Sequence, residues 1–257
     1  MTVLAIDIGN TNITIGVFDN QNLTAHWRLA TDHERMPDEY GIQILGLLTN
    51  IGLSKSGLEG ICLASVAPPV TGRVIQACQE YCSINPLVIN HRLKTGISIL
   101  YDNPDAVGAD RIADAVAVKH LHGAPACVID FGTATTFNAI NRNNEYLGGA
   151  IAPGIGIALD ALFTRTAKLP RIELETPPSV IGTNTVHAIQ AGMIFGYVSL
   201  VEGMVSRFKI LLGADTKIIA TGGLATIISS ETEVIDIVSP WLTLEGIKII
   251  WDLNKPS

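Results

Sequence analysis

Leu4-Ala5-Ile6-Asp7-Ile8-Gly9-Asn10-Thr11 is an apolar stretch that ends in a carboxylate and a glycine. Cys127-Val128-Ile129-Asp130-Phe131-Gly132-Thr133-Ala134, about half the chain further on, has the same order of residue types. Each stretch predicts a buried strand, an Asp-x-Gly turn and a second strand. The repeat indicates an ancient duplication, although Asp and Gly are common turn residues that unrelated hairpins also share.

Apolar runs separated by turn residues continue through both halves of the chain. The spacing of apolar residues predicts helices around Tyr40–Leu48 and Val70–Tyr81. Short apolar runs at Gly60–Val66 and Leu87–Ile89 predict buried strands. This mixture of helices and strands predicts an α/β fold and not an all-β one.

The length of 257 residues and the restart of the pattern predict two domains, residues 1–118 and 119–257. In each domain we expect a mixed sheet flanked by helices.

The charge balance argues against nucleic acid as a partner. The chain has 17 Lys and Arg against 24 Asp and Glu, a net charge of −7, and no basic cluster longer than a pair. Binding to a phosphate backbone would require such a cluster. Apolar residues make up 47% and charged residues 16% of the chain, which excludes disorder. We expect a second subunit to cover part of the apolar surface.

No basic segment precedes a long apolar one at the N-terminus, so we expect a cytoplasmic protein. The most apolar stretch, Ala188–Val205, contains Gln190 and Glu202, and we expect a buried or interface helix there and no membrane span. Cys78 and Cys82 share a face of the predicted helix, where core packing and half of a metal site are the alternatives.

An Asp-x-Gly-x-Thr turn after a buried strand has the groups that a phosphate site needs. The glycine lets backbone N–H groups approach a phosphate, and Asn and Thr side chains add donors. Two such turns, at Asp7 and Asp130, would hold a nucleoside triphosphate from two sides, with Mg²⁺ bound to Asp7 through water. The pair Gly222-Gly223 follows an apolar run, and its lack of side chains would let a purine or its ribose lie against the backbone.

Gly108-Ala109-Asp110-Arg111 precedes a stretch with helical spacing, so Asp110 lies in or just before a first helical turn. An N-cap carboxylate is one interpretation of this residue. The positive end of the helix dipole should keep Asp110 ionised and weakly basic. Arg111 either binds an anionic ligand or forms a surface ion pair with Asp114.

Five motifs identify the chain further. They are Asp7-Ile8-Gly9-Asn10-Thr11-Asn12, Gly108-Ala109-Asp110-Arg111, Asp130-Phe131-Gly132-Thr133-Ala134-Thr135, Gly148-Gly149-Ala150-Ile151-Ala152-Pro153-Gly154 and Ile181-Gly182-Thr183-Asn184-Thr185. Their order resembles that in type III pantothenate kinases, which share the fold of sugar kinases, acetate kinase, actin and the heat-shock ATPase chaperones. The resemblance spans Asp7 to Gly246. Asn138 departs from it, because an Asp is expected at that position.

The resemblance implies two duplicated ribonuclease H-like domains, the actin-like ATPase fold, with an interdomain cleft. It implies ATP-dependent phosphorylation of pantothenate to 4′-phosphopantothenate, the first step of coenzyme A biosynthesis. Asp110 would be the base that takes the proton of the substrate's primary hydroxyl, and Asp130 would bind K⁺ or NH₄⁺. The residues expected to bind ATP are Asp7, Ile8, Gly9, Asn10, Thr11, Asn12, Ile13, Thr14, Thr133, Gly222 and Gly223.

The residues that the resemblance implies for pantothenate are Tyr101, Gly108, Ala109, Asp110, Arg111 and Thr185. Thr185 would come from the partner subunit of a homodimer. The pairs Gly148-Gly149 and Pro153-Gly154 bracket an apolar segment, which indicates either two turns around a strand or part of the cleft floor.

Two other functions are compatible with this fold. A sugar kinase would have clusters of Asn, Asp and Glu before the helix of the base and often a zinc motif, and the sequence has neither. A non-catalytic regulatory accessory protein would have lost parts of the site. The residues that argue against such a loss are Asp7, Asp110, Arg111, Asp130 and Thr133, which are all present.

Overall fold

The computed structural model describes residues 2–255. The chain packs as two compact units: unit 1 is the chain up to Leu121 together with the segment from Leu242 on, and unit 2 is His122–Trp241. This division differs from the predicted domains 1–118 and 119–257, because the C-terminal helix packs in unit 1. The sequence alone does not tell which sheet that helix covers.

The secondary structure alternates as an α/β fold requires. The strands are β1 (Thr2–Ile8), β2 (Asn12–Asp19), β3 (Asn22–Ala30), β4 (Gly60–Ser65), β5 (Leu87–Val88), β6 (Ser98–Ile99), β7 (Ala126–Phe131), β8 (Ala134–Ile140), β9 (Glu145–Pro153), β10 (Lys217–Gly222) and β11 (Ile237–Val238). The α-helices are α1 (Pro37–Asn50), α2 (Pro68–Ala77), α3 (Ala109–Ala117), α4 (Ile155–Arg165), α5 (Thr185–Leu212), α6 (Ala225–Ser229) and α7 (Leu242–Asn254). Single π-helical turns extend α2 over Cys78–Cys82 and α3 over Val118–His122.

The sheet of unit 1 has the order β3-β2-β1-β4-β5. Strands β1, β2 and β3 form an antiparallel meander, while β4 runs parallel to β1 and β5 parallel to β4. Helices α1 and α2 contribute Tyr40, Ile44 and Val74 to a core with Leu4 and Ile6 of β1. Helix α7 packs on β1, β2 and β4. This packing explains why β1 is a continuous apolar run, because a central strand covered by helices on both faces has no exposed positions.

Unit 2 repeats this topology. Strands β7, β8 and β9 form an antiparallel meander, β10 runs parallel to β7, and β11 parallel to β10. The order β9-β8-β7-β10-β11 therefore matches the order β3-β2-β1-β4-β5, with the same strand directions. Asp7 and Asp130 are each the last residue but one of the first strand. The repeated topology supports the predicted duplication far more strongly than the shared Asp-x-Gly turn.

Helix α5 forms the core of unit 2 together with β7, β8 and β10. Its residues Ile194, Val201 and Val205 are buried against that core. Within residues 2–255, α5 alone is long and apolar enough to cross a membrane, with a mean hydropathy of 1.4 over 18 residues, of which 44% are buried. Core helices meet the same criterion, and the packing of α5 accounts for its apolar sequence.

Two strands bear on the sequence expectations. Strand β3, after the turn at Asp19-Asn20, has no continuous apolar run; its polar and apolar residues alternate, because it is an edge strand with one face exposed. The two-turn interpretation of Gly148-Gly149 is wrong, because both glycines lie within β9. Gly148 has φ +105° and lies opposite Ala139, next to an irregularity in the β8–β9 register. The pair therefore marks a bulge and not a turn.

A buried lysine of the C-terminal helix α7 forms an ion pair within that helix. Lys248 is 2% exposed, and its Nζ lies 2.6 Å from a carboxylate oxygen of Asp252, which also accepts a hydrogen bond from Gln21. Burial by itself would raise the pKa of Asp252. The hydrogen bonds from Lys248 and Gln21 and the charges of Lys248 and Lys255 outweigh this effect, and the pKa is lowered.

We expect Asp252→Asn to lower the free energy of unfolding at pH 7 by about 2–4 kcal/mol, because Lys248 keeps its buried charge and loses its partner. A carboxyl whose pKa is lowered on folding stabilises above its unfolded pKa, and this effect is lost as the pH falls below the ordinary 3.8. The difference between wild type and variant in urea unfolding should thus shrink as the pH falls below about 4. Asp215→Asn, in the exposed pair with Arg142, is the matched control and should change stability by under about 0.5 kcal/mol. Equal losses in both variants would contradict the role of the buried pair.

Candidate active site

The turn between β1 and β2 begins where the central strand β1 ends. Asp7 is half-buried and lies between Thr14 of β2 and Ala64 of β4 in the sheet register. The N–H of Gly9 donates to the carbonyl oxygen of Asn12 at 2.9 Å, which closes the turn. The predicted phosphate-binding residues of unit 1 are thus brought together at one end of its sheet.

The equivalent turn of unit 2 lies between β7 and β8. Asp130 is half-buried, with Thr136 of β8 on one side and Thr221 of β10 on the other. The N–H of Gly132 donates to the carbonyl oxygen of Ala134 at 3.1 Å. Thr133 is exposed at the tip of the turn. Register partners lie on the same face of a sheet, so the side chains of Thr136 and Thr221 lie on either side of the Asp130 side chain.

Gly222 lies against Asp130 at the end of β10. It has φ +89°, and a Cβ at this position would lie 2.4 Å from Oδ1 of Asp130. A side chain is therefore excluded for two reasons, the backbone conformation and the proximity of the carboxylate. The sequence predicts that this glycine contacts the base or ribose of a nucleotide, and the proximity of Asp130 is a further reason for a glycine here.

Asn138 connects the flank of Asp130 to the core. It is fully buried, its Nδ2 donates to Thr136 Oγ1 at 3.1 Å, and its Oδ1 accepts a hydrogen bond from the Tyr146 hydroxyl at 3.1 Å. An amide is both donor and acceptor, so one side chain satisfies both neighbours. The departure from the family motif at this position therefore lies in a hydrogen-bonded network that ends beside Asp130.

Asp110 is the second residue of α3, and Gly108 is the N-cap. The interpretation of Asp110 as an N-cap is therefore wrong. Oδ1 of Asp110 accepts a hydrogen bond from the N–H of Arg111 at 2.7 Å. A Cβ on Gly108 would lie 2.4 Å from the same oxygen, so the glycine makes room for the carboxylate.

The pKa of Asp110 is raised, which corrects the expectation that the helix N-terminus keeps it ionised and weakly basic. Burial raises this pKa more than the hydrogen bond from the Arg111 N–H and the Arg111 charge lower it. The expectation failed because it considered only the helix on which Asp110 lies. A raised pKa makes the carboxylate a stronger base near neutral pH.

Arg111 is 9% exposed and Asp114 is 2% exposed. The hydroxyl of Thr243 on α7 donates to Oδ1 of Asp114 at 2.8 Å. A surface ion pair between Arg111 and Asp114 is therefore wrong as described, because both side chains are buried. A guanidinium in such surroundings interacts strongly with an anion.

The remaining predicted substrate residues lie on two separate segments. Tyr101 follows β6 and is 37% exposed. Thr185 is the first residue of α5, after the N-cap Asn184, whose side chain accepts a hydrogen bond from the His187 N–H. Thr185 lines a groove of about 600 Å³ in unit 2. The apolar side of this groove is formed by Leu162, Leu169, Ala188, Ile189 and Met193.

The donors around the two strand-end carboxylates suit hard cations. Asp130 with two threonines, and Asp7 with Thr14, offer oxygen ligands only, which Mg²⁺ and K⁺ prefer to nitrogen or sulfur. Within residues 2–255 no group of three or more His, Cys, Asp or Glu side chains comes together for a metal. Cys78 and Cys82 are buried, and burial raises the pKa of the Cys78 thiol to about 12. Both cysteines therefore pack in the core, as one of the two predictions had it.

Asn138 was noted from the sequence only as a departure from the family motif, and Thr136 and Thr221 were not singled out. Their signal is the sheet register: a residue that pairs with Asp130 lies beside it on the same face. That register becomes available only once the strand order is known, because β10 lies far from β7 in sequence.

Solved structures with similar folds define the class of the protein. The chain superposes on a Baf family protein from Campylobacter jejuni with a TM-score of 0.62, at 19% identity over 97% of each chain. It also superposes on component A of (R)-2-hydroxyglutaryl-CoA dehydratase from Acidaminococcus fermentans with a TM-score of 0.57, at 16% identity, covering 96% of this chain and 95% of that one. The protein thus has the actin-like ATPase fold of two duplicated ribonuclease H-like domains, and the predicted fold class is confirmed.

Sequence comparison identifies the family. The sequence model of the type III pantothenate kinase family matches residues 3–207. The type III pantothenate kinase of Geobacillus kaustophilus (strain HTA426) is 50% identical over 252 residues, which is 98% of each chain. The chain belongs to the type III pantothenate kinase family, and the resemblance inferred from its motifs is confirmed. No comparison supports the regulatory alternative.

We expect Gly222→Ala to lower the free energy of unfolding by about 2 kcal/mol or more, since the alanine is strained at φ +89° and its Cβ meets Asp130. Urea unfolding measures this loss. Gly203→Ala on α5 is the matched control, because nothing lies within 4 Å of its Cβ position. The control should be neutral or stabilised by up to about 1 kcal/mol. A Gly222→Ala protein as stable as wild type would contradict the close approach to Asp130.

Proposed function

We propose that this protein transfers the γ-phosphoryl group of ATP to the primary hydroxyl of pantothenate, giving ADP and 4′-phosphopantothenate, the first step of coenzyme A biosynthesis. The observation that carries the proposal is the Asp110 carboxyl with its raised pKa at the start of α3, in a chain half identical to a type III pantothenate kinase. A base of raised pKa is what the deprotonation of an alcohol calls for.

In the proposed reaction the hydroxyl oxygen of pantothenate bonds to the γ-phosphorus as the bond from that phosphorus to the bridging oxygen of ADP breaks. The hydroxyl proton passes to Asp110. Phosphoryl transfer depends mainly on in-line positioning and charge stabilisation, so the proton leaves late and a moderate base suffices. Closure around the reactants would exclude water.

The residues proposed to bind pantothenate are those that the family motifs match in this sequence. Arg111 would bind the carboxylate of pantothenate, which its burial favours because a charge-assisted hydrogen bond is stronger away from water. Tyr101, Gly108 and Ala109 would line the same pocket. Thr185 would add its hydroxyl from the partner subunit of a homodimer.

The nucleotide residues are the two strand-end turns and the glycine pair. The turn from Asp7 to Thr14 and the exposed Thr133 would bind the phosphates, and Gly222-Gly223 the nucleoside. Asp7 would hold Mg²⁺ through water, and this ion neutralises phosphate charge when bound. Asp130, flanked by Thr136 and Thr221, would hold K⁺ or NH₄⁺.

The proposal includes the oligomeric state and the cellular location of the protein. We infer a homodimer in the cytoplasm, formed through exposed apolar side chains of unit 2. The supporting observation is that several large apolar residues there are well exposed: Ile151 by 67%, Ile157 by 51%, Val180 by 66% and Ile181 by 77%. Large exposed apolar side chains favour a subunit interface over a surface that faces water.

The test is ADP release by the purified protein with Mg²⁺ and ATP, in K⁺ and in Na⁺, with pantothenate as acceptor and glucose as the control. We expect turnover with pantothenate only, faster in K⁺ than in Na⁺. Asp130→Asn should remove most of the preference for K⁺, because the carboxylate supplies the charge of the proposed cation site. Turnover with glucose would indicate a sugar kinase, and ATP binding without turnover in any salt would favour the regulatory alternative.

We expect Asp110→Asn to lower kcat by about 10²-fold or more, the range for loss of a general base. Nucleotide binding should be retained. In wild type, the acidic limb of kcat/KM should lie above the ordinary aspartate pKa of 3.8. Steady-state kinetics across pH measure both effects.

We expect the Asp110→Asn protein to be folded and no less stable than wild type at pH 7. A carboxyl with a raised folded pKa stabilises at low pH, and this stability is lost as the pH rises through the folded pKa, so at pH 7 removal of the charge should not reduce stability. Asp38→Asn is the matched control, because Asp38 is the second residue of α1 and is exposed. Unchanged turnover in Asp110→Asn, or an equal loss in Asp38→Asn, would remove Asp110 from the role of base.

A further inference from the structure

Thr31, the residue directly after β3, holds the β1–β2 turn through two hydrogen bonds. Its N–H donates to the carbonyl oxygen of Thr11 at 2.9 Å, and its hydroxyl donates to that of Gly9 at 2.7 Å. The N–H of Gly9 donates to the carbonyl oxygen of Asn12 at 2.9 Å. Three carbonyl oxygens of the turn thus accept hydrogen bonds from within unit 1, which keeps these partial negative charges from facing an anion.

The hydroxyl of Thr31 also sets the direction of an N–H group. The carbonyl of Gly9 and the N–H of Asn10 belong to one trans peptide, in which the two groups point in opposite directions. With the Gly9 oxygen bonded to Thr31, the Asn10 N–H points away from Thr31. Because residue 9 is a glycine, the Gly9–Asn10 peptide would otherwise rotate at little cost.

The segment after Thr31 is itself fixed to the helices of unit 1. The hydroxyl of Tyr40 donates to the carbonyl oxygen of Asp32 at 2.8 Å, and the Arg73 guanidinium donates to those of His33 and Arg35. Tyr40 is 1% exposed. Thr31 is therefore anchored on both sides, by β3 before it and by this segment after it, and it can hold the turn rigidly.

The duplicated topology gives an independent observation. In unit 1 Asn12 pairs with Ala30, and Thr31 follows; in unit 2 Ala134 pairs with Pro153, and Gly154 follows. A Cβ on Gly154 would lie 2.1 Å from the carbonyl oxygen of Thr133, so Gly154 also packs directly against its turn. The residue after the third strand thus contacts the turn after the first strand in both units.

We propose that Thr31 is a positioning residue for nucleotide binding: its hydroxyl orients the Gly9–Asn10 peptide so that the Asn10 N–H is presented to a phosphate of ATP. This inference rests on the proposed function. It adds a residue that does not touch the nucleotide and acts on it through the turn.

The test is the Kd for Mg²⁺-ATP, measured by calorimetry without pantothenate, in Thr31→Val and Thr31→Ser. Valine keeps the shape and the N–H but lacks the hydroxyl, so Kd should rise about three- to tenfold, as expected for one hydrogen bond. Serine should restore the wild-type Kd. In turnover, Thr31→Val should raise the KM for ATP by a similar factor and leave the KM for pantothenate and kcat within about twofold.

Thr24→Val is the matched control, because Thr24 lies on β3, the strand that ends directly before Thr31, and its hydroxyl donates to the carbonyl oxygen of Val17 at 3.0 Å. It should lose comparable stability and keep the wild-type Kd. An unchanged Kd in Thr31→Val, or an equal rise of the Kd in Thr24→Val, overturns the role of Thr31 and leaves the proposed reaction standing. Wild-type protein that fails to bind Mg²⁺-ATP overturns the nucleotide site and this inference with it, whereas ATP binding without pantothenate turnover overturns only the proposed reaction.

Discussion

Each unit depends on a first strand that is hydrogen-bonded on both sides, antiparallel to one neighbour and parallel to the other. Such a strand is covered by helices along its length, so its side chains must be apolar until it reaches the edge of the sheet. Asp7 and Asp130 lie at the ends of these strands, where the side chain no longer has to be apolar. The chain then has to turn at once into the antiparallel neighbour, which glycine permits. The same constraint that makes the core thus sets a carboxylate and a backbone turn side by side.

The surroundings of these two carboxylates differ although the topology is the same. Asp130 has threonine side chains on both sides, and a buried amide links one of them to the core. Asp7 has a threonine on one side and Ala64 on the other. Duplication of a fold therefore preserved the backbone and left each site free to acquire its own oxygen ligands. The two proposed cation roles, direct for Asp130 and through water for Asp7, agree with this difference.

Asp110 illustrates how burial and helix electrostatics compete. The helix N-terminus and Arg111 favour the ionised form, while the loss of water around the carboxyl disfavours it more. Gly108 contributes by leaving room for the carboxylate beside the backbone. An acid at the start of a helix thereby gains basicity through the burial of its carboxyl. This is a property of the packing around α3 and not of the motif that precedes it.

The sequence by itself determined the class of fold, the family and the identity of the residues with chemistry, because these depend on local patterns: the apolar run, the Asp-x-Gly turn and the start of α3. It also gave the helix over Val70–Tyr81 and the strands around Gly60 and Leu87 to within a few residues. Only the tertiary structure decided that α7 packs in unit 1, that Gly148 lies in a strand, that Thr136 and Thr221 flank Asp130, and that the pKa of Asp110 rises. Each of these depends on strand register or burial, and both arise from residues far apart in the chain, whose proximity no local pattern encodes.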